Sequence, residues 1–257
     1  MFFVRNYCHS SFCKSSIPLP VITPSKIDKS SNFVSGTLLL IDKPLEWTSF
    51  DIVKKVRNLI KKQLQIKKIK VGHTGTLDPL ATGLLIVCTG KFTKRIEEIQ
   101  GQEKTYTGQF TLGATTLSFD RETKVNNTFD TSHITKQLLE KVAKQFVGEI
   151  KQIPPVFSAI KQNGKRLYDF ARKNEEVKIK ERKVMVHSFK IIDINLPKVS
   201  FKISCGKGTY IRSIANDFGR ALNSGAYLSK LCRTKIGGYN LKDAFSLNDV
   251  EEKIKLL

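Results

Sequence analysis

The sequence lacks both the cysteine pattern of a secreted protein and the apolar runs of a membrane protein. Its five cysteines are odd in number and contain no Cys-x-x-Cys pair, and its four histidines lie apart from them. This spacing argues against a disulfide framework and against a zinc site. No apolar run approaches the roughly 20 residues that a bilayer-spanning helix needs. We therefore expect a protein of a reducing, aqueous compartment that does not insert into membranes.

Acidic residues are scarce in this chain. Only 23 Asp and Glu stand against 44 Lys and Arg, which gives a formal net charge of +21 and a pI near 9.8. A surface this positive favours a polyanionic partner such as nucleic acid. A basic surface that is merely solvated explains the same excess, because much of it is lysine in runs such as 67–70. Charge alone leaves both interpretations open.

The chain is long enough for one folded domain. Its 257 residues are 40% hydrophobic and 26% charged, which is the balance of a globular protein with a buried core. Residues 1–34 differ, because they hold Arg5, Lys14, Lys26 and Lys29 with Asp28 as the one acid. This composition is typical of an organellar targeting peptide and also of a disordered extension. We predict an extension over 1–34 and a folded domain over 35–257.

Hydrophobic periodicity predicts a mixture of strands and helices. One helix begins near Thr48 or Ser49, because apolar residues recur on one face at helical spacing as far as Ile60. Further helices are expected around 134–146, around 211–222 and from 246, and strands are expected at 36–41, 84–88, 106–112, 184–194, 199–205 and 228–236. The strands outnumber the helices and do not alternate with them regularly. The predicted class is α+β, with a mixed, largely antiparallel sheet and surrounding helices.

The segment 71–82 is rich in glycine and poor in apolar anchors, so a loop is predicted there. It carries His73 and the dipeptide Asp78-Pro79. One interpretation is a functional carboxylate on a loop that is braced by a sheet. The other is a turn in which Asp78 caps a following helix and Pro79 takes the first helical position. The local pattern alone favours the capping interpretation.

Six spaced segments resemble one known family. The sequence GHTGTLDPLATG at 72–83 matches the signature motif of the TruB family of pseudouridine synthases nearly residue for residue. Other segments resemble the family motifs KPxGxTS at 43–49, KxY at 104–106, PPxxSAxK at 154–161, GTYIRxLxxDxG at 208–219 and LRRT at 231–234. They occur in the family order. The chain is therefore similar to the TruB family over nearly its whole globular part.

The resemblance implies the pseudouridine synthase fold as a catalytic domain over 35–257, and an isomerase that converts the T-loop uridine of tRNA to pseudouridine. Such enzymes detach uracil from its ribose, rotate it and rejoin it through carbon, and they use neither cofactor nor metal. Asp78 corresponds to the family's catalytic aspartate. One carboxylate is chemically sufficient, because it can attack an electron-poor centre and then help to move a proton.

The resemblance also assigns residues around the target base. Tyr106 corresponds to a tyrosine that stacks against the base, although the local alternation is also that of a cross-strand aromatic pair. Arg212 corresponds to the arginine that pairs with the catalytic aspartate, and burying either charge unpaired would be costly. Tyr210 and Leu231 correspond to pocket residues that wrap the base after it leaves the stack.

Two further residues are expected to bind substrate. His73 corresponds to a histidine that contacts the RNA where the base leaves the stack. Lys43 corresponds to the first motif's lysine, for which packing near the site and phosphate contact are equal alternatives. Cations on the helix after Ser49 and in 67–70 could also contact the RNA backbone, although a solvated face explains each of them.

The chain departs from the family pattern at three places. Glu46 stands where glycine is usual. The segment 112–120 resembles the family motif LGxxTDTxD, but Leu117 stands where an aspartate is usual, although Asp120 remains. Many family members carry a small RNA-binding PUA domain after the core, and the residues beyond Ser246 leave no room for one. Weaker contact with distant parts of tRNA is therefore expected.

Three functions are compatible with these residues. Thr74 and the short chain end favour a stand-alone tRNA enzyme, for which we expect tRNA as the partner, no protein partner, a monomer and a bacterial-type cytoplasmic location. Organellar import through residues 1–34 is the alternative location. The alternative functions are a guide-RNA-dependent enzyme acting on ribosomal RNA and an RNA-binding chaperone with secondary or lost catalysis. The retained Asp78, Tyr106 and Arg212 argue against a pure binder.

Overall fold

The computed structural model describes residues 21–22, 27, 32–158, 160–162, 164–172, 175, 177 and 179–257. Most of the extension predicted over 1–34 lies outside the described residues. Within them, ten strands form one sheet. Its main path runs through β1 (Val21–Ile22), β2 (Leu38–Lys43), β4 (Ala81–Thr89), β13 (Ala226–Ile236), β5 (Lys104–Leu112), β12 (Lys198–Cys205), β11 (Arg182–Asn195) and β8 (Gly148–Gln152). In addition, β3 (Val71–His73) pairs with β4, and β14 (Tyr239–Asn240) pairs with β13.

Most neighbours in this sheet are antiparallel, whereas β1 is parallel to β2 and β4 is parallel to β13. Two short hairpins lie apart from the sheet. They pair β6 (Ala114–Thr116) with β7 (Val125–Thr128), and β9 (Lys161–Gln162) with β10 (Lys165–Arg166). The predicted α+β class with a mixed, largely antiparallel sheet is confirmed.

Helices cover the sheet in two groups, each with its own core. The helices α1 (Ser49–Gln63) and α6 (Leu247–Lys255) pack together and bury apolar side chains with β2 and β4. The helices α3 (Lys136–Gln145) and α5 (Ile211–Ala221) form the second core with β5, β11, β12 and β13. Two short helices, α2 (Ile96–Gly101) and α4 (Leu167–Arg172), lie in the connections. None of the described helices is long and apolar enough to cross a membrane.

The start of α1 follows the predicted pattern. The hydroxyl of Thr48 accepts a hydrogen bond from the backbone N–H of Asp51, and the Asp51 carboxylate accepts one from the N–H of Thr48. This reciprocal pair satisfies two donors that the helix itself cannot satisfy. Ile52, Val56 and Ile60 are buried on one face, as their spacing predicts. The helix is therefore fixed at its start and along its length.

The loop predicted over 71–82 is wrong at both ends. Val71–His73 pairs with β4, and β4 itself begins at Ala81, so that the loop covers only 74–80. A strand follows Asp78, which excludes the interpretation in which Asp78 caps a helix. The strand β3 contains Gly72 and only three residues, too few for a hydrophobic period to show.

Several described residues before position 35 contact the folded domain. Phe33 is fully buried, and Ile27 is buried in the core formed with α1 and α6. The strand Val21–Ile22 also pairs with β2. These described residues therefore contact the sheet and its core, whereas the boundary at residue 35 stays a prediction.

The strands β4 and β13 approach closely at Gly83. The φ of Gly83 is 100°, and a Cβ atom there would lie 2.4 Å from the carbonyl oxygen of Arg233. Residues with a side chain rarely adopt this conformation, and the neighbouring backbone cannot move aside without breaking the strand pair. The contact holds β13, which carries Leu231 and Arg233, beside the strand that follows the 74–80 loop.

We expect Gly83→Ala to lower the free energy of unfolding by about 2 kcal/mol or more, because it adds backbone strain to a steric clash. Gly238→Ala is the matched control, since a Cβ atom at Gly238 meets nothing within 4 Å. Its effect should stay within about 0.5 kcal/mol. Urea unfolding of both variants measures the difference, and equal midpoints would contradict the close approach.

Candidate active site

The 74–80 loop is anchored through its backbone. The hydroxyl of Ser49, the first residue of α1, accepts from the N–H of Leu77 at 2.8 Å and donates to the Leu77 carbonyl at 3.1 Å. The N–H of Thr74 donates to the Ile86 carbonyl, and the N–H of Ala81 donates to the Asp78 carbonyl. The side chain of Leu77 is buried in the core with α5. The segment on either side of Asp78 is therefore held in one conformation.

Asp78 forms an ion pair with Arg212, as the resemblance predicts. The Nε atom of Arg212 lies 2.9 Å from Oδ2 of Asp78. The Arg212 side chain is 4% exposed, whereas that of Asp78 is 39% exposed and opens into a cleft. Burial raises the pKa of the Asp78 carboxyl, and the guanidinium acts in the opposite direction by favouring the ionised form. A partly accessible carboxylate thus rests on a buried cation.

A second carboxylate shares the same guanidinium. Oδ2 of Asp120 lies 3.6 Å from Nε of Arg212, and the Asp120 side chain is buried. The loop around Asp120 also accepts a hydrogen bond from Nη1 of Arg212 at the Ser118 carbonyl. The Thr116 hydroxyl and the Glu122 N–H donate to the carbonyl and carboxylate oxygens of Asp120, which holds this loop in shape. Asp120 was not predicted as a site residue, although the family-like segment 112–120 contains it.

Tyr106, Tyr210 and Leu231 line the same cleft as Asp78 and Arg212, in a cavity of about 250 Å³. Tyr106 comes from β5, Leu231 from β13, and Tyr210 immediately precedes α5. Burial raises the pKa of both tyrosine hydroxyls, so that both are neutral at neutral pH. Aromatic and apolar walls beside one carboxylate suit a planar base that has left its stack. Among the described residues, no cluster of three His, Cys, Asp or Glu side chains could hold a metal ion.

Comparison with known protein families assigns this chain to one of them. The model of the TruB family pseudouridylate synthase N-terminal domain matches residues 61–211, more than half of the chain. The chain belongs to the TruB family. The matched range includes the 74–80 loop, Tyr106 and Tyr210, and it ends one residue before Arg212.

Individual relatives match this chain over most of its length and nearly all of their own. The protein named tRNA pseudouridine synthase B of Flavobacterium johnsoniae is 54% identical over 224 residues, which cover 87% of this chain and 98% of that relative. The protein of the same name in Phocaeicola vulgatus is 52% identical, over 86% of this chain and 94% of the relative. The relatives therefore extend beyond the family model and include the region of Arg212.

Solved structures show the same architecture. The structure described as a Cbf5-Nop10-Gar1 complex matches with a TM-score of 0.66 and 27% identity. The match covers 93% of this chain and 61% of the solved chain, so this chain spans less than two thirds of the solved chain's length. The pseudouridine synthase fold that the resemblance implied is confirmed.

Lys43 lies beneath the site of this TruB-family protein. Its side chain is fully buried, and its ammonium donates to the carbonyls of Pro44 at 2.8 Å, Trp47 at 2.7 Å and Pro79 at 3.4 Å. Burial lowers the pKa of Lys43 to about 8, and the charge of Asp78 opposes this change. All three donors of the ammonium are occupied. The geometry therefore favours packing over the alternative of phosphate contact, and it ties the turn after β2 to the loop of Asp78.

His73 lies on β3 and does not line the cavity. Its Nδ1 atom accepts a hydrogen bond from the N–H of Gly75 at 3.2 Å. Burial lowers the pKa of His73, and the charge of Arg233 acts in the same direction. Because Nδ1 accepts, the neutral ring carries its proton on Nε2. His73 thus supports the start of the loop, and the RNA contact expected for it stays a prediction.

Arg233 is a residue that the sequence interpretation did not select. It is fully buried, and it donates from Nε to the Leu84 carbonyl and from Nη2 to the Gly75 carbonyl. A hydrogen bond from Arg233 and its charge also act on the Tyr106 hydroxyl, lowering a pKa that burial raises. Arg233 therefore fixes the loop and Tyr106 relative to each other. The LRRT-like segment was the one signal that pointed to it.

We expect Asp120→Asn to reduce turnover on the order of a hundredfold, because Arg212 loses a charged partner and the placement of Asp78 relaxes. Substrate affinity should change much less, since Asp120 lies behind Arg212. Single-turnover rates and RNA dissociation constants measure the two effects separately. Asp193→Asn, on the exposed part of β11, is the control and should behave as wild type.

We expect Lys43→Met to lower the free energy of unfolding by about 2 kcal/mol, because three carbonyls lose a donor while the cost of burying a charge is removed. The folded variant should bind RNA as tightly as wild type. Urea unfolding and an RNA-binding titration test this. An unchanged unfolding midpoint with weakened RNA binding would instead support phosphate contact by Lys43.

Proposed function

We propose that this protein converts the T-loop uridine of tRNA to pseudouridine, with Asp78 as the catalytic carboxylate. The observation that carries the proposal is the ion pair between Asp78 and the buried Arg212 at a cleft with aromatic and apolar walls. Relatives that cover most of the chain are named tRNA pseudouridine synthase B, which supports tRNA as the substrate.

The reaction is an isomerisation that needs one well-placed carboxylate. The bond between N1 of uracil and C1′ of the ribose breaks, the base rotates, and a bond forms between C5 and C1′. The proton on C5 leaves, and N1 carries a proton in the product. Asp78 either adds to the electron-poor sugar or base, or removes a proton. Both roles require the ionised carboxylate that the Arg212 guanidinium favours.

The cleft supplies the rest of the environment. Tyr106 and Tyr210 offer aromatic faces to the flipped base, and Leu231 closes an apolar side. Uracil must be free to rotate while its ribose stays in place, so shape rather than tight hydrogen bonding suits the walls. The Tyr106 hydroxyl, which Arg233 orients, is the group we assign to the closing proton transfer.

Action as a monomer, without guide RNA or a protein partner, is part of the proposal. Relatives at about half identity over nearly their full length carry the name of a tRNA enzyme, which favours this interpretation over guided modification of ribosomal RNA. A chaperone role beside catalysis is compatible with the same surface. An Asp78 variant that still binds and refolds tRNA would separate the two roles.

We expect the wild-type protein to convert one T-loop uridine in an unmodified tRNA transcript, and Asp78→Asn to lose activity by on the order of a thousandfold or more. The asparagine keeps the shape of the side chain and removes its charge. RNA binding should persist. Pseudouridine mapping after incubation measures conversion at every uridine.

Asp193→Asn is again the control, and it should convert the same uridine at the wild-type rate. A folded wild-type protein that binds the transcript and converts no uridine would refute the stand-alone enzyme. Conversion by Asp78→Asn at the wild-type rate would refute the role of Asp78 and leave the activity itself standing.

A further inference from the structure

Two buried cations line the cleft, and one of them has no role in the isomerisation. Lys104 at the start of β5 is 6% exposed, and Arg233 of β13 is 1% exposed. Both line the cavity that contains Asp78. Arg233 has an evident role in holding the loop and Tyr106. Lys104 has none in the isomerisation.

The partners of these two cations are neutral. The ammonium of Lys104 donates to the carbonyls of Gln100 and Gln102, each at 2.5 Å. Among the described residues, no carboxylate lies within ion-pair distance of Lys104 or Arg233. Burial of a charge without a counter-charge is costly. The pKa of Lys104 falls to about 8, through burial first and the charge of Arg233 second.

Positive charge also predominates at the rim of the cleft. Lys207 and Arg182 line the same cavity and are exposed. Asp78 is the one acid among the cavity-lining residues that the structure describes, and it is already paired with Arg212. The side chains that line the cleft therefore carry an excess of positive charge that they do not neutralise among themselves.

The occupant of the cleft can supply the missing negative charge. Uracil and ribose are neutral, so the anionic parts of a bound nucleotide are its backbone phosphates. An ammonium has three donors, and Lys104 uses two of them on carbonyls, which leaves the third for a ligand in the cavity. A charge-assisted hydrogen bond to phosphate is among the stronger polar contacts in proteins.

We propose that Lys104 binds a backbone phosphate that flanks the flipped uridine, and so forms an anion subsite of the catalytic cleft. The proposal rests on the proposed function, because it takes a nucleotide as the occupant. The carbonyls of Gln100 and Gln102 hold the Lys104 ammonium in place before RNA binds. Binding of the phosphate then relieves the unpaired charge, so that part of the affinity for RNA is linked to entry of the correct nucleotide into the cleft.

The alternative is that Lys104 only anchors the chain at 100–102. The two roles differ in how the enzyme responds to a change in the RNA. A T-arm hairpin is prepared in three forms, with native phosphates or with a neutral methylphosphonate on the 5′ or the 3′ side of the target uridine. Full-length wild type, Lys104→Met and Lys104→Arg are compared by RNA dissociation constant and by single-turnover rate.

With native RNA, we expect Lys104→Met to bind roughly ten- to a hundredfold more weakly, as loss of a hydrogen bond to a charged group requires. With the methylphosphonate at the contacted position, wild type should bind as weakly as Lys104→Met, and the two changes together should add little. Lys104→Arg should recover part of the loss on native RNA. Lys141→Met, exposed on α3 and outside the cavity, should show none of these effects.

Equal losses for Lys104→Met on all three RNAs would overturn the subsite and support the anchoring role, as would a drop in unfolding midpoint with no coupling to either methylphosphonate. The binding titrations test the subsite even if no uridine is converted. Failure of wild type to convert native RNA refutes the proposed function, whereas a lack of coupling refutes the subsite alone.

Discussion

The Nε atom of the buried Arg212 lies 2.9 Å from one oxygen of Asp78 and 3.6 Å from one oxygen of Asp120. Arg212 comes from the first turn of α5, Asp78 from the loop between β3 and β4, and Asp120 from the loop after β6. Three segments that are distant in sequence must therefore be in place before the ion pair exists. The large sheet and the apolar cores that pack on it provide that placement, and the site forms only in the complete fold.

Buried cations outnumber carboxylates around this ion pair. Lys43, Lys104, Arg212 and Arg233 are all buried, and the buried or half-buried carboxylates beside them are Asp78 and Asp120. Lys43 and Arg233 donate hydrogen bonds to backbone carbonyls, so these buried cations have neutral partners. The result is a positive environment in which an ionised carboxylate is stabilised and an anionic polymer is attracted.

Local pattern predicted the elements that bury a continuous face. The helices α1 and α5 and the strands β5, β11, β12 and β13 carry apolar periods long enough to be read. The strand β3 was missed because three residues with a central glycine show no period. Asp78 and Arg212 were identified through resemblance. Asp120 and Arg233 were not selected, because a single polar residue that acts through long-range contacts leaves no periodic signal in its neighbours.

Most of the hydrogen bonds that hold the 74–80 loop go to its main-chain atoms. Ser49 binds the N–H and carbonyl of Leu77, Lys43 binds the carbonyl of Pro79, and Arg233 binds the carbonyl of Gly75. These hydrogen bonds do not depend on which side chain stands at an exposed position such as Thr76. Substitution there could alter how the loop meets an RNA surface and leave the carboxylate where it is. Selection for new substrates and selection for catalysis can thus act on different residues of one short loop.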